Sequence, residues 1–180
     1  MRILLNTKRL TLRPIGSEDL YTTHCYAGNP ENARFMIYLP NDDIGETKAF
    51  LEKAWAQWNT ENPSFYEFAI DLAGKHIGAV GLYLNELRTV GELGWILHKA
   101  YWAKGYCTEA AMAVKEFALK ELKLTELVAH CDSENIASAR VMEKLGLTLE
   151  DDTQKRRNKC ADRDSIEYKY SLRIDCTERA

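Results

Sequence analysis

Across its 180 residues the chain shows no excess of positive charge, no two cysteines in a C-x-x-C, and no apolar run near the roughly 18 residues a membrane helix needs. Lysine and arginine number 24 against 27 aspartate and glutamate, a net charge of −3. Nucleic-acid binders usually carry a basic excess, so no nucleic acid is expected, and an acidic chain suits a small cationic partner. The five cysteines, at 25, 107, 131, 160 and 176, are odd in number; with no leader in view they read as free thiols in a reducing cytosol. Only Ile3-Leu4-Leu5 is apolar near the start, too short for the core of a signal peptide. The expectation is a cytoplasmic protein with no membrane partner. Histidines 24, 76, 98 and 130 have no metal-ligand spacing, so no metal is expected. The four prolines are scattered at 14, 30, 40 and 63, and no repeat or linker interrupts the chain. One domain over 1–180 is the reading, with 46% hydrophobic and 28% charged residues excluding a disordered or collagenous chain.

What is present reads as α+β. Leu10-Thr11-Leu12-Arg13 alternates and stops at Pro14, a strand near a sheet edge. Ser17 is placed to cap a first helix ending near Gly28-Asn29-Pro30. Asp43, with Glu46 three residues on, resembles a capping box for a second helix that lines up Phe50, Leu51, Ala54, Trp55 and Trp58; the two tryptophans read as packing. Tyr66, Phe68 and Ile70 alternate, a turn follows at Ala73-Gly74-Lys75, and the runs Ile77–Leu84 and Glu92–Leu97 complete an antiparallel meander. The period then changes: Ala110, Ala113, Val114, Phe117, Ala118 and Leu122 mark a long helix, Leu127–Cys131 a buried strand, and Ala137, Val141 and Leu145 a shorter helix ended by Gly146. Strand, helix and strand over 92–131 form a right-handed crossover, so those two strands are expected to be parallel within a mixed, mostly antiparallel sheet flanked by helices. Residues 150–164 hold five basic and five acidic side chains and read as a solvated hairpin tip.

Two segments carry chemistry. Trp102-Ala103-Lys104-Gly105-Tyr106-Cys107-Thr108-Glu109 follows a strand and opens the long helix, where unpaired N–H groups and the positive helix end suit an anion such as a pyrophosphate. Gly105 allows close backbone approach and Lys104 adds charge. A plain strand-to-helix turn accounts for the same residues. The three glycines of a dinucleotide loop and the Gly-Lys-Ser/Thr of a nucleotide-triphosphate loop are both missing. Asn135-Ile136-Ala137-Ser138 opens the next helix; Asn135 can be merely its cap and Ser138 a first-turn residue. Both segments lie at the carboxyl ends of the parallel strands, where ligands of such sheets bind.

Taken in order, these pieces resemble the GCN5-related N-acetyltransferase (GNAT) superfamily, and within it the branch acetylating ribosomal-protein N-termini. The resemblance runs through Thr7-Lys8-Arg9-Leu10-Thr11-Leu12-Arg13-Pro14, Ile77-Gly78-Ala79-Val80-Gly81-Leu82, Glu92–Leu97, Tyr101–Ala110, Asn135–Leu147 and Asp164-Ser165-Ile166-Glu167-Tyr168. It implies a parallel strand pair splayed around acetyl-CoA, and an amine acceptor. By motif, the backbone of Ala103, Lys104, Gly105, Tyr106, Cys107 and Thr108 would cradle the pyrophosphate. Trp95, Ile96 and Leu97 would pair with the pantetheine arm, a backbone N–H there polarising the thioester carbonyl. Asn135 would bond the pantetheine, and Ser138 would protonate the departing thiolate. The tyrosine that other members place further along this helix is Met142 here. Ala103 replaces a usual glycine, Cys107 a small residue and Leu147 a phenylalanine.

Amines are protonated at pH 7, so a base is needed. Deprotonation costs about 4.6 kcal/mol for a lysine-like amine and about 1.4 kcal/mol for an α-amine. Glu92, on the strand nearest the reaction, is the candidate base, although it can equally be a solvated carboxylate. Asp42, Asp43 and Glu46 can draw a cationic acceptor or simply cap their helix. Cys107, at a helix N-terminus, is expected to have a lowered pKa, which makes a thiol nucleophile conceivable; no fixed histidine partner is visible. The acceptor is expected to be a peptide N-terminal α-amine. A polyamine or antibiotic amine, or a non-catalytic acetyl-CoA-binding domain, are the alternatives. Monomer and homodimer stay open.

Overall fold

The computed structural model describes residues 3–174. The outermost ends of the domain expected over 1–180, and Cys176 with them, lie outside the described residues. In chain order the elements are β1 (Leu5–Asn6), β2 (Leu10–Pro14), α1 (Leu20–Ala27), α2 (Ile44–Trp58), β3 (Phe65–Leu72), β4 (Lys75–Leu84), β5 (Val90–Leu97), α3 (Tyr106–Lys120), β6 (Glu126–Asp132), α4 (Ile136–Lys144), β7 (Thr148–Arg156) and β8 (Ser165–Arg173). The strands form one sheet in the order β1-β2-β3-β4-β5-β6-β8-β7. Every neighbouring pair is antiparallel except β5 and β6, the pair joined through α3.

Each face of the sheet has its own core. On one, Phe65, Ala69 and Ala79 pack with Leu51 and Ala54 of α2 and with Ile15. On the other, Tyr66, Phe68, Ile70, Val80, Leu82 and Leu93 pack with Ala110, Val114 and Phe117 of α3 and Met142 of α4. β3 is therefore buried on both sides over Phe65–Ile70, and the residues between its alternating apolar positions are buried too. Trp58 lies edge-on to Tyr66 and Phe68 and its Nε1 donates to the Glu67 carbonyl at 3.0 Å.

Helix starts follow local chemistry with two adjustments. Asp43 caps α2, its Oδ1 accepting from the Glu46 N–H at 3.1 Å, but Glu46 reaches back to the N–H of Asp42, not of Asp43. The first helix is capped at Gly16 rather than Ser17: a 3-10 turn spans Ser17–Asp19, and the Asp19 carboxylate accepts from the Gly16 N–H at 3.1 Å.

The expected solvated tip at 150–164 is a hairpin with mostly exposed side chains, and it departs from expectation at two residues. β7 runs into it to Arg156, and Arg156 and Asn158 are buried. Arg156 donates to Glu167 at 2.7 Å, to Asn158 at 2.9 Å and to the Phe35 carbonyl at 3.0 Å, while Asn158 and Ser165 both donate to Asp132. Lys159 adds bonds to the carbonyls of Met36 and Pro40. Arg156 and Lys159 thereby pin the segment between α1 and α2 to the sheet end, through its backbone carbonyls and Asp42.

Candidate active site

β5 and β6 pair at Val90–Glu126, Gly91–Leu127 and Glu92–Val128 and then part. β4 stays paired with β5 as far as Gly78–Leu97, and the His98 N–H continues that ladder to the Ile77 carbonyl at 2.9 Å. In an antiparallel ladder the backbone groups of alternate residues face alternate sides. Those of Glu92, Gly94 and Ile96 therefore turn to β4, and those of Leu93, Trp95 and Leu97 turn into the gap. The Leu97 carbonyl is already taken by Asn32 Nδ2 at 2.6 Å and Trp102 Nε1 at 2.7 Å. Of the three residues read as pantetheine partners, Trp95 and Leu97 thus present backbone groups to the gap, while Ile96 spends its own on β4.

The loop into α3 lies at the gap's carboxyl end. Ala103 and Gly105 are both left-handed, with φ of 59° and 78°. An alanine there costs on the order of 1–2 kcal/mol, which explains why a glycine is the easier residue at that position. The first helical bond runs from the Glu109 N–H to the Gly105 carbonyl, so the N–H groups of Tyr106, Cys107 and Thr108 have no acceptor within the helix. A side chain built on Gly105 would meet only Arg9 Nη2, at 3.4 Å. The surface above these donors is open, and it fits a pyrophosphate. An open cleft of about 550 Å³, lined by Asn6, Thr7, Gly105, Thr108 and Met112 among others, continues from it along α3.

The cation beside Gly105 is one the sequence did not single out. Lys104 turns its ammonium to the Ala100 carbonyl at 2.9 Å. Arg9 instead donates to the Lys104 carbonyl at 3.0 Å and lies over the Tyr106 ring at 4.4 Å. Glu109 holds Arg9 in place, accepting from its Nε at 2.6 Å, its N–H at 2.8 Å and the Thr7 hydroxyl at 2.6 Å. The β1–β2 turn thereby buttresses the loop into α3 from outside.

Cys107 departs from expectation. It is half-buried, and desolvation pushes its thiol up to about 12, the opposite direction to the lowering expected at a helix N-terminus. Asn135 caps α4: its Oδ1 accepts from the Ser138 N–H at 3.2 Å, which leaves its Nδ2 pointing away from the cap. Ser138 is half-buried, and among the described residues its hydroxyl makes no hydrogen bond.

Glu92 stands at the fork, its side chain 52% exposed, with Oε1 at 3.2 Å from Nδ1 of His130 on β6. The bond to Glu92 raises the His130 pKa above its ordinary value. Opposite Glu92 on β4 lies Tyr83, whose hydroxyl donates to Glu67 Oε2 at 2.9 Å. Glu67 is buried, and desolvation, opposed by the Tyr83 bond, pushes its carboxyl up to about 7. Neither His130 nor Glu67 was singled out from sequence; the one available signal was a glutamate inside the otherwise apolar stretch F-Y-E-F-A-I. Asp42 is paired with Lys159 at 3.0 Å, so with Asp43 at the cap neither carboxylate is left unpartnered. Among the described residues no group of three or more His, Cys, Asp or Glu is placed to hold a metal ion, and no helix is long and apolar enough to cross a membrane.

A family model described as an acetyltransferase (GNAT) domain matches residues 9–148. An uncharacterized N-acetyltransferase of Bacillus subtilis, YnaD, is 31% identical over 150 residues, covering 81% of this chain and 83% of its own. Among solved structures, the ribosomal L7/L12 α-N-protein acetyltransferase RimL, in complex with coenzyme A, superposes with a TM-score of 0.83 at 14% identity, over 96% of this chain and 99% of that one. The spermidine N-acetyltransferase of Vibrio cholerae, in complex with CoA and spermine, gives 0.80 at 18% identity, over 93% and 96%. At these identities the two structures speak to the fold. The chain belongs to the GNAT acetyltransferases. Its chemistry is N-acetyl transfer from acetyl-CoA.

Proposed function

We propose that the acetyl group passes directly to a primary amine standing in the gap between β5 and β6, with no acetylated enzyme. The observation that carries this reading is the parting of the parallel pair just after Glu92, which turns the Trp95 backbone and the Leu97 N–H into the gap. Bound there, acetyl-CoA supplies an activated acyl group with a thiolate leaving group. The first-turn N–H groups of α3 and the Arg9-backed loop hold the phosphates, and Asn135 Nδ2 orients the pantetheine. A backbone N–H of β5 facing the gap polarises the carbonyl. Glu92, paired with His130, takes the proton of the amine directly or through water, and Ser138 protonates the sulfur. The raised Cys107 thiol supports direct attack, because a neutral thiol is a poor nucleophile.

A peptide α-amine is the acceptor that costs least to deprotonate. The buried carboxyl of Glu67 on the face opposite α3 favours a small cation instead. A thiol-release screen with N-terminal peptides, polyamines and aminoglycosides, followed by mass mapping of the product, tests the proposal. CoA release matched by one acetylated amine is expected. Tight acetyl-CoA binding without release on any amine would mark a binding domain.

Two substitutions test the roles. Asn135→Asp keeps an oxygen for the Ser138 N–H and so the cap, but removes the amide donor. It is expected to raise the KM for acetyl-CoA more than it lowers kcat, since a pantetheine contact exists in both ground and transition states; a pure kcat loss would contradict the role. Ser138→Ala is expected to keep acetyl-CoA affinity and lose at least about tenfold in kcat, below the 10²–10⁴ that a general acid typically contributes. A thioester of a more acidic thiol should rescue that variant preferentially. Equal impairment on both thioesters would leave Ser138 as a lining residue.

A further inference from the structure

Glu67 has no part in the chemistry above, yet it is placed in line with it. The register sets Gly81 of β4 directly across from Glu67 of β3, and Gly94 of β5 directly across from Gly81. A side chain on Gly81 would come within 2.6 Å of both Glu67 Oε2 and the Tyr83 ring, so the carboxylate and the ring that bonds it fill the space over that glycine. A side chain on Gly94 would meet nothing within 4 Å. The next position in this row is the gap itself, because the last paired residues of β5 and β6 are Glu92 and Val128. The space left over Gly94 thus forms a short track over the sheet from the Glu67–Tyr83 pair to the reaction gap. Its length is one to one and a half strand spacings, about 5–7 Å.

The carboxylate also has spare capacity. Oε2 accepts from Tyr83, and Oε1 accepts nothing among the described residues. No fully buried side-chain oxygen among those residues goes without a partner, so Oε1 is not fully enclosed. No cationic side chain among the described residues pairs with Glu67. A buried carboxyl with one neutral donor and no cation is costly to ionise, and an ammonium brought alongside removes that cost through a charge-assisted bond.

We propose that Glu67 is the acceptor-selecting residue of this enzyme: its open oxygen holds a second cationic nitrogen of the acceptor while the first stands in the gap. The preferred acceptor is then a short diamine, or the end of a longer polyamine, with its nitrogens about 5–7 Å apart. This deepens the acetyl-transfer reading of the same gap and rests on it.

The test compares n-butylamine with 1,4-diaminobutane in wild type and Glu67→Gln, by kcat/KM at saturating acetyl-CoA and by calorimetry of 1,4-diaminobutane on the CoA-bound protein. Wild type is expected to prefer the diamine by at least about tenfold, the range of one hydrogen bond to a charged group. Glu67→Gln is expected to erase most of that preference through KM. Gly94→Val, whose Cβ meets no neighbour, obstructs the track without touching Glu67 and is expected to lower the preference as well, which guards against a Glu67 variant that fails to fold. Absence of any preference in wild type would overturn the proposal. So would equal losses on both amines in Glu67→Gln, the pattern of a proton acceptor. Diamine binding that depends on Glu67, with no turnover of any amine, would instead overturn the enzymatic reading and support the subsite.

Discussion

Replacing Gly105 with valine is expected to weaken acetyl-CoA binding at least about a hundredfold. Gly105 sits at φ 78° immediately before the first helical residue of α3. A β-branched side chain in that conformation is a steric outlier, so the loop must shift. The shift moves the N–H groups of Tyr106, Cys107 and Thr108 away from where they converge. Hydrogen bonds to a charged partner are worth about 1.5–3 kcal/mol each, and losing two gives the hundredfold. The added bulk also meets Arg9, whose Nη2 lies 3.4 Å from the new Cβ, so the buttress shifts with the loop. Calorimetry of acetyl-CoA on protein with an intact melting transition checks this. Unchanged affinity would place the cradle elsewhere.

Replacing Arg13 with leucine is expected to destabilise the fold by about 3 kcal/mol, the lower end of the range for breaking a buried ion pair. Arg13 on β2 grips Asp19 with both terminal nitrogens, at 2.7 and 2.8 Å, and Asp71 of β3 through Nε at 2.8 Å. Asp19 is 4% exposed at its side chain. Burial alone would raise its carboxyl, but the bonds from Arg13 and the Gly16 N–H, with His76 nearby, hold it below the usual carboxylate range. Without Arg13 the charge stays buried with weaker compensation. For a domain of this size the loss corresponds to a melting-point drop of roughly 6–12 °C. The pH dependence has a definite sign. A depressed carboxylate contributes stability above its unfolded pKa, and that contribution is lost as pH falls through the folded value. The gap between wild type and variant should therefore be full at pH 7 and narrow below about pH 4. A gap constant across that range would show that Asp19 is not the group left behind.

The left-handed glycine before α3 and the second helix cap were legible because their chemistry is local. A glycine before a helix and an aspartate three residues from a glutamate act on backbone groups within one turn. The crossover from β5 through α3 to β6 was legible for a related reason, since the period of apolar residues changes from two to 3.6 and back. β7 was not. Its sequence, T-L-E-D-D-T-Q-K-R, carries no apolar alternation, because it is a sheet edge largely exposed to solvent and held by the backbone of β8. Arg156 was counted as surface charge for the same reason: its partners Glu167 and Phe35 lie in another element or far along the chain.

By itself, then, the amino-acid sequence determined most of the elements, the parallel crossover and the glycine turn that opens α3, each through interactions within a few residues or one βαβ unit. The tertiary structure alone decided which backbone groups of β5 face the gap, that Arg9 and not Lys104 stands beside Gly105, and that Glu67 shares a row with Gly81 and Gly94. The physical reason is register. Side chains on a strand alternate with period two, so a shift of one residue in any pairing would send Glu67 or Gly94 to the opposite face. That choice is made by the packing of both cores around strands distant in sequence.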